Sequence, residues 1–237
     1  MLNEFISADT NVFHVHIPKT GGTSLNATFH HCEWFINGEH SFYEVNFPFY
    51  GKRTSDGRKW SDFNENGFTN DMQIIAVIRN PFDWLKSYYL HEGSSFKGLI
   101  KHSGWHGCND FHKFGSFSGF VDSYIDSDFT WHVPPLHKSQ LGQLRGISEN
   151  PSVGSPILIF NEYLDDFIEE LSLIKGVNLQ KKVRRNVSPK TEILSYTAHQ
   201  ITGLKNKMAA FLALTGYDEF GFYRAPTKSF IINNNEK

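Results

Sequence analysis

The sequence lacks the features that define several broad classes of protein. Only two cysteines, Cys32 and Cys108, occur in 237 residues, so no disulfide framework is implied and a reducing compartment is favoured. A formal net charge of −2 provides no broad electrostatic surface for nucleic acid or an anionic membrane. No apolar run approaches the roughly 20 residues that cross a bilayer, and the amino terminus has no signal-peptide pattern. We therefore expect a soluble, cytoplasmic protein that binds no nucleic acid and has no membrane span, with a lumenal location as the alternative if the sequence was cut from a longer anchored chain.

What is present is an ordinary globular composition, with strands that alternate with helices. The length suits one core, so we expect a single domain over residues 1–237. Three apolar runs, Val12–Ile17, Gln73–Ile78 and Pro156–Phe160, predict buried strands of a parallel sheet. A helical pattern follows each of them. This alternation predicts an α/β fold in which helices flank a central parallel sheet.

Three polar segments stand outside this pattern. Gly51–Asp71 and Gly93–Gly119 are predicted to be loop excursions, and the second is long enough to suggest a functional loop. Ala225–Lys237 is predicted to be a polar tail. Before this tail, the apolar spacing from Ile201 to Leu212 predicts one amphipathic helix, which Gly216 closes.

The segment "FHVHIPKTGGTSL" has the form of a site for an anion. It reads as a strand, a glycine-bearing turn and a helix start, where backbone N–H groups and the helix dipole favour negative charge. Gly21 and Gly22 let the backbone approach an anion closely, and the hydroxyls of Thr23 and Ser24 open the helix. Lys19 supplies a positive charge at the entrance. The alternative is a tight strand-to-helix turn without a ligand.

The position of Lys19 disfavours a Walker ATP site. In the Walker pattern the lysine follows the glycines, whereas Lys19 precedes them. An NTPase also needs an acidic residue at the end of a neighbouring strand to hold magnesium, and Arg79 stands there instead. A P-loop kinase or nucleotidase is therefore the less favoured interpretation.

A second candidate anion site follows the second predicted strand, in "VIRNPFDWLKSYY". Asn80 can cap a helix that begins at Pro81, which places Arg79 beside the helix start and Ser87 on its second turn. An arginine and a hydroxyl near a helix start would bind a phosphate well. The alternative is an Arg79 paired with Asp83 and a Ser87 that faces solvent.

Together, "HIPKTGGTS" and "IRNPFDWLKSYY" resemble the sulfotransferases that use 3′-phosphoadenosine-5′-phosphosulfate (PAPS), especially the carbohydrate-sulfotransferase branch. The similarity continues, less sharply, through "PILIFNEYLDDF" and "TGYDEFGFY". It implies the three-layer, P-loop NTPase-like sulfotransferase fold and a 5′-phosphosulfate loop made of Lys19, Thr20, Gly21, Gly22, Thr23 and Ser24. It also implies that Arg79 and Ser87 hold the 3′-phosphate, with Arg185 of "KKVRRNVSPK" nearby.

The resemblance implies in-line transfer of the sulfuryl group of PAPS to an acceptor hydroxyl of a glycan or other carbohydrate. Lys19 would stabilise the charge that grows on the leaving phosphate. His40 is the candidate general base, and Glu39 beside it is the alternative. No metal is expected.

Two other interpretations stay open. A non-catalytic protein of the same fold would bind the nucleotide without moving sulfate. The spacing of His102, His106, Cys108 and His112 suits zinc, but no paired C-x-x-C signature accompanies it, so loop or acceptor contacts are favoured. His14 and His16 are predicted to be buried residues behind the loop.

Overall fold

The computed structural model describes residues 2–15, 17, 19–30, 42–45, 72–96, 114–126, 157–177, 193–222 and 229–231. Its main feature is a five-stranded sheet made of β1 (Asn11–Val15), β2 (Phe42–Val45), β3 (Met72–Ile78), β4 (Ile157–Phe160) and β7 (Ser229–Ile231). The strand order in this sheet is β2-β1-β3-β4-β7. The first four pair in parallel, and β7 pairs antiparallel to β4. The predicted α/β class with a central parallel sheet is confirmed.

The helices follow the strands as expected. They are α1 (Gly22–His30), α2 (Pro81–Phe96), α3 (Phe117–Asp126), α4 (Leu164–Lys175), α5 (Ala198–Lys207) and α6 (Ala209–Thr215). A two-stranded sheet, β5 (Tyr217–Asp218) with β6 (Gly221–Phe222), follows α6. None of the described helices is long and apolar enough to span a membrane.

Residues 74–78 of β3 and all of β4 are apolar because both faces of these strands are covered. All residues from Ile74 to Ile78 and all four of β4 are buried. Alternate residues of these strands, Ile75, Val77, Ile157 and Ile159, pack in one cluster with the apolar stripe of α4. Burial of the remaining residues in both strands is the pattern of a sheet that is sandwiched between two layers.

Several predicted boundaries were wrong. The segment Ala225–Lys237 is not only a polar tail, because Ser229–Ile231 forms the edge strand β7, with Ile231 opposite Ile157. Such a short strand depends on its partner rather than on its own pattern. The excursion Gly93–Gly119 is shorter than predicted, since α2 continues to Phe96 and α3 begins at Phe117. The strand β2 was not predicted.

The carboxyl-terminal helix is also divided. Met208 has φ −108° and ψ 18°, which separates α5 from α6 within the stretch predicted as one helix. Gly216 closes α6 in the left-handed conformation at φ 73°, as predicted. Thr197 and Gln200 form a reciprocal capping box at the start of α5.

The chain divides into two compact units. The first comprises Met1–Arg79, Gln140–Asn186 and Thr227–Lys237, and it contains the five-stranded sheet with α1 and α4. The second comprises Asn80–Ser139 and Val187–Pro226, and it contains α2, α3, α5, α6 and the two-stranded sheet. The single domain over residues 1–237 stays a prediction.

Candidate anion-binding site

The loop between β1 and α1, of which residues 17 and 19–21 are described, has an unusual backbone at Lys19. Lys19 has φ 68°, and it is the only residue other than glycine with a positive φ in the part of the chain that the structure describes. A side chain in this region costs on the order of 1–3 kcal/mol, and such strain is concentrated at functional sites. The side chain of Lys19 is half-buried. The loop therefore holds its one lysine in a conformation that the rest of the unit has to enforce.

Thr20 ties this loop to the end of the strand. Its side chain is fully buried, and its hydroxyl donates a hydrogen bond to the carbonyl of Ile17 at 2.8 Å. Thr20 is one of the residues that the sequence predicted to bind the nucleotide. Because its hydroxyl proton is used inside the loop, its contribution to an anion would come from the backbone N–H.

Gly21 is fixed by its surroundings as well as by its conformation. Its φ is 105°, and a Cβ at this position would lie 2.4 Å from Nδ2 of Asn161 and 3.2 Å from Cδ2 of Leu164. No residue with a side chain fits there without displacement of the neighbours. The carbonyl of Gly21 accepts the N–H groups of Ser24 and Leu25, at 2.9 and 3.3 Å, which forms the first turn of α1. The predicted helix start at the hydroxyl residues is thus close, with α1 beginning at Gly22.

Arg79 brings the second motif to the first. It directly follows β3, which is the neighbour of β1 in the sheet, and the carboxyl ends of parallel neighbours meet at one edge. Its Nη1 donates to the carbonyl of Lys19 at 3.3 Å, across 60 residues of sequence. The alternative pairing partner, Asp83, lies 4.0 Å from Lys86. Arg79, the one residue of the second motif's site that belongs to the first unit, therefore contacts the first motif within that unit.

Ser87 belongs to the second unit. The predicted helix start is confirmed, because Oδ1 of Asn80 accepts the N–H of Phe82 at 2.9 Å and Pro81 is the first residue of α2. Ser87 is only 8% exposed and lies on the helix face that carries the buried Trp84 and Tyr88. It does not face solvent, which removes the simplest non-functional interpretation of this hydroxyl.

Asn161 is a site residue that sequence reasoning missed. It follows β4 directly, and its Nδ2 donates to the carbonyl of Thr20 at 2.6 Å. The signal was present in "PILIFNEYL", where a polar amide ends a buried strand of a parallel sheet. Polar residues at that position face the edge where ligands bind.

Of the remaining predicted residues, His14 is the one that the structure describes. His40, Glu39 and Arg185 lie outside the described residues, as do His16 and the four side chains with zinc-like spacing. His14 is fully buried, as predicted. Within the described residues, no group of three or more metal-binding side chains is present.

Comparison with known proteins adds a fold-level similarity. No protein-family model and no curated protein sequence matches the chain. A crystal structure of mouse sulfotransferase SULT7A1 complexed with PAP is similar, with 14% identity over 90% of this chain and 88% of that chain, and a TM-score of 0.43. A sulfotransferase from Alicyclobacillus acidocaldarius has 12% identity over 86% of this chain and 93% of that chain, and a TM-score of 0.41. Since these TM-scores are low, the function has to be inferred from the residues of this chain.

Proposed function

We propose that the protein is a PAPS-dependent sulfotransferase that moves a sulfuryl group in line to an acceptor hydroxyl of a glycan or other carbohydrate. The observation that supports this most strongly is the hydrogen bond between Arg79 and the carbonyl of Lys19. It joins the two motifs that carry the resemblance to this family, and each of them is suited to a phosphate.

The loop has the properties that a phosphosulfate site requires. Anion-binding loops direct N–H groups inward and keep carbonyl oxygens away from the ligand. The carbonyls of Ile17, Lys19, Thr20 and Gly21 each accept a hydrogen bond from the protein itself. Glycine at position 21 lets the loop backbone pack directly against Asn161 and Leu164, where a Cβ would collide with both. These residues therefore fit the 5′-phosphosulfate end of the nucleotide.

The residues that would hold each end follow from this assignment. We propose that the 5′ end binds at Lys19, Thr20, Gly21, Gly22, Thr23 and Ser24. We propose Arg79, Ser87 and Arg185 for the 3′-phosphate, as the resemblance implies. A guanidinium and a hydroxyl suit a dianionic phosphate because they donate charge-assisted hydrogen bonds.

The protein contributes charge and proton transfer to the reaction. Bound PAPS supplies the sulfuryl group. Lys19 and the N–H groups at the start of α1 stabilise negative charge at the bridging oxygen of the 5′-phosphate. His40, or Glu39 in the alternative, accepts the proton of the acceptor hydroxyl. Preorganised donors of this kind stabilise developing charge without needing to reorient during the reaction.

Calorimetric titration with 3′-phosphoadenosine 5′-phosphate (PAP) tests the donor site. We expect the wild type to bind, and Lys19→Ala and Arg79→Ala each to weaken binding by about 1–3 kcal/mol, the effect of losing a charged hydrogen-bond donor. Lys207→Ala, at the exposed end of α5, is the matched control and should bind as the wild type does. A wild-type chain that does not bind PAP would refute the assignment.

Transfer from labelled PAPS then separates an enzyme from a binding protein. We expect label to appear on a carbohydrate acceptor and His40→Ala to slow its appearance without weakening PAP binding. Binding of PAP with no transfer to any acceptor would favour the non-catalytic interpretation. Magnesium-dependent turnover of ATP would favour the kinase interpretation.

A further inference from the structure

Asn161 is placed to control the loop from two strands away. It begins the single 3₁₀ turn Asn161–Tyr163 between β4 and α4, and β4 is separated from β1 by β3 in the sheet. Its side chain nevertheless reaches the carbonyl of Thr20, 141 residues earlier in the chain. Because a carbonyl oxygen only accepts, the nitrogen of the amide has to face it.

The contact is close on every side. The hydrogen bond is 2.6 Å long, Thr20 is fully buried, and Nδ2 of Asn161 lies too close to Gly21 for a Cβ to fit there. Rotation of Asn161 would leave the buried carbonyl of Thr20 without its donor. A buried polar group that loses its partner is destabilised by desolvation, so the amide and the loop hold each other in place.

The direction of the Thr20 carbonyl matters for an anion. A peptide carbonyl that turned toward the ligand would place a partial negative charge beside it and withdraw the N–H of the next residue, Gly21. Asn161 acts on Thr20 as Arg79 acts on Lys19, and these two donors engage successive carbonyls of the loop. One donor comes from the end of β3 and the other from the end of β4.

We propose that Asn161 is a positioning residue for the anion-binding loop, which keeps the carbonyl of Thr20 turned away from the bound anion without contacting it. This inference rests on the proposed function for its ligand, the 5′ end of PAPS. Asn161 acts by donating one hydrogen bond to the carbonyl of Thr20, so a side chain of the same size that cannot donate would not hold the loop.

Two substitutions separate donation from space-filling. Asn161→Ala removes both the donor and the volume, whereas Asn161→Asp retains the shape and replaces the donor by a charged acceptor. Asn206→Ala, at an exposed position of α5, is the matched control. Each variant is titrated in the full chain with PAP and, separately, with inorganic pyrophosphate, and its thermal unfolding is measured alongside.

We expect Asn161→Ala to bind both probes about threefold to tenfold more weakly, the effect of one neutral hydrogen bond. Asn161→Asp should lose at least as much affinity although it preserves the packing, and Asn206→Ala should match the wild type. If Asn161→Asp binds both probes like the wild type, the inference is overturned, and this variant also decides the matter if Asn161→Ala does not fold.

The two probes distinguish this inference from the proposed function. A wild type that binds pyrophosphate but not PAP, with Asn161→Ala and Asn161→Asp weakened for pyrophosphate, would support Asn161 and refute the nucleotide assignment. A wild type that binds PAP, together with Asn161 variants that bind both probes as tightly as the wild type, would support the nucleotide assignment and refute the role of Asn161. A wild type that binds neither probe would refute both.

Discussion

The two compact units are built on different principles. The first has an aliphatic core, in which the isoleucines and valines of β3 and β4 pack against α4. The second has an aromatic core, in which rings of α2 and α3 contact each other and the ring of residue 196. The ring centroids of Phe120 and Tyr88 are 6.5 Å apart, and those of Phe117 and Tyr196 are 5.1 Å apart. The first unit uses its sheet to fix backbone groups at an edge. The second buries phenols and amides among its helices.

The difference shows where each unit is vulnerable. In the first, the loop depends on Gly21, where no side chain fits. In the second, single buried polar side chains satisfy several backbone groups, and buried phenols resist ionisation. Substitutions in the two units should therefore lower the free energy of unfolding through different contacts, and a rise in pH should change it with opposite sign in the two units.

The largest effect is expected from Gly21→Ala in the first unit. Strain at φ 105° and the clash with Asn161 act together, so we expect a loss of about 3 kcal/mol in the free energy of unfolding. Gly176→Ala is the matched control, because it has φ 64° but open space around its Cβ, and it should lose only about 1 kcal/mol. Urea unfolding measures both. Equal losses would mean that the contact with Asn161 does not constrain the loop.

Asn80→Ala is the corresponding test of the second unit. Asn80 is buried, accepts the N–H of Phe82, and donates to the carbonyls of Asp218 and Gly221 at 2.7 and 3.2 Å. We expect a loss of about 2 kcal/mol, because one helix cap and two donors disappear. The exposed Asn206→Ala should leave the urea midpoint nearly unchanged. If the free energy of unfolding falls by less than the loss of a helix cap alone would cause, the hydrogen bonds to the carbonyls of β5 and β6 contribute little.

Alkaline pH should weaken the second unit. Burial raises the pKa of Tyr124 from 10.0 to about 12. A group whose pKa is raised in the folded state stabilises it fully below the unfolded pKa, and this stabilisation is lost as pH rises through the folded pKa. We expect the wild type to lose about 1–2 kcal/mol relative to Tyr124→Phe between pH 10 and pH 12. Parallel pH dependences of unfolding in the two proteins would contradict this.

The smallest effect is expected at Lys175, and it has the opposite sign. Burial lowers the pKa of Lys175 from 10.5 to about 8, against the nearby Asp9, which raises it. Between these two values the unfolded state binds more protons, so the free energy of unfolding rises with pH. Because Lys175 is only half-buried, solvent screening should limit the gain to about 1 kcal/mol or less.

Lys175→Met provides the comparison for that prediction. In this variant the free energy of unfolding should not rise between pH 8 and pH 10, a range below the ionisation of Tyr124 in the folded protein. The variant should also lose the hydrogen bonds that Lys175 donates to the carbonyls of Ala8 and Thr10. Chemical denaturation at matched pH values measures the difference in slope. If the free energy of unfolding of the wild type rises no more steeply with pH than that of the Lys175→Met variant, the lowered pKa of Lys175 is refuted.

Sequence pattern predicted the parts of the fold that are locally determined. Apolar runs identified β3 and β4, and the order Asn80-Pro81 identified the start of α2, because capping chemistry is encoded in adjacent residues. The strands β2, "FYEV", and β7, "SFI", were missed, because neither is a continuous apolar run as β4, "ILIF", is, and their pairing depends on partners that are distant in sequence.

The candidate site was predicted in the same uneven way. The loop lysine, the glycines and Arg79 were identified from short motifs. The strain at Lys19, the structural use of the Thr20 hydroxyl and the role of Asn161 were not, because each depends on which strand lies beside which. A motif names the groups at a site, but only the sheet order shows which of them support the others.

The bracing of the loop has a consequence for a chain that is still emerging from the ribosome. The donors for Lys19 and Thr20 are supplied 60 and 141 positions later in the sequence. The anion cradle therefore cannot take its final shape until β3 and then β4 have been synthesised and paired. Contacts of such long sequence separation form late in folding. Capture of an anion would thus report that the sheet has been assembled as far as β4, rather than its first strand alone.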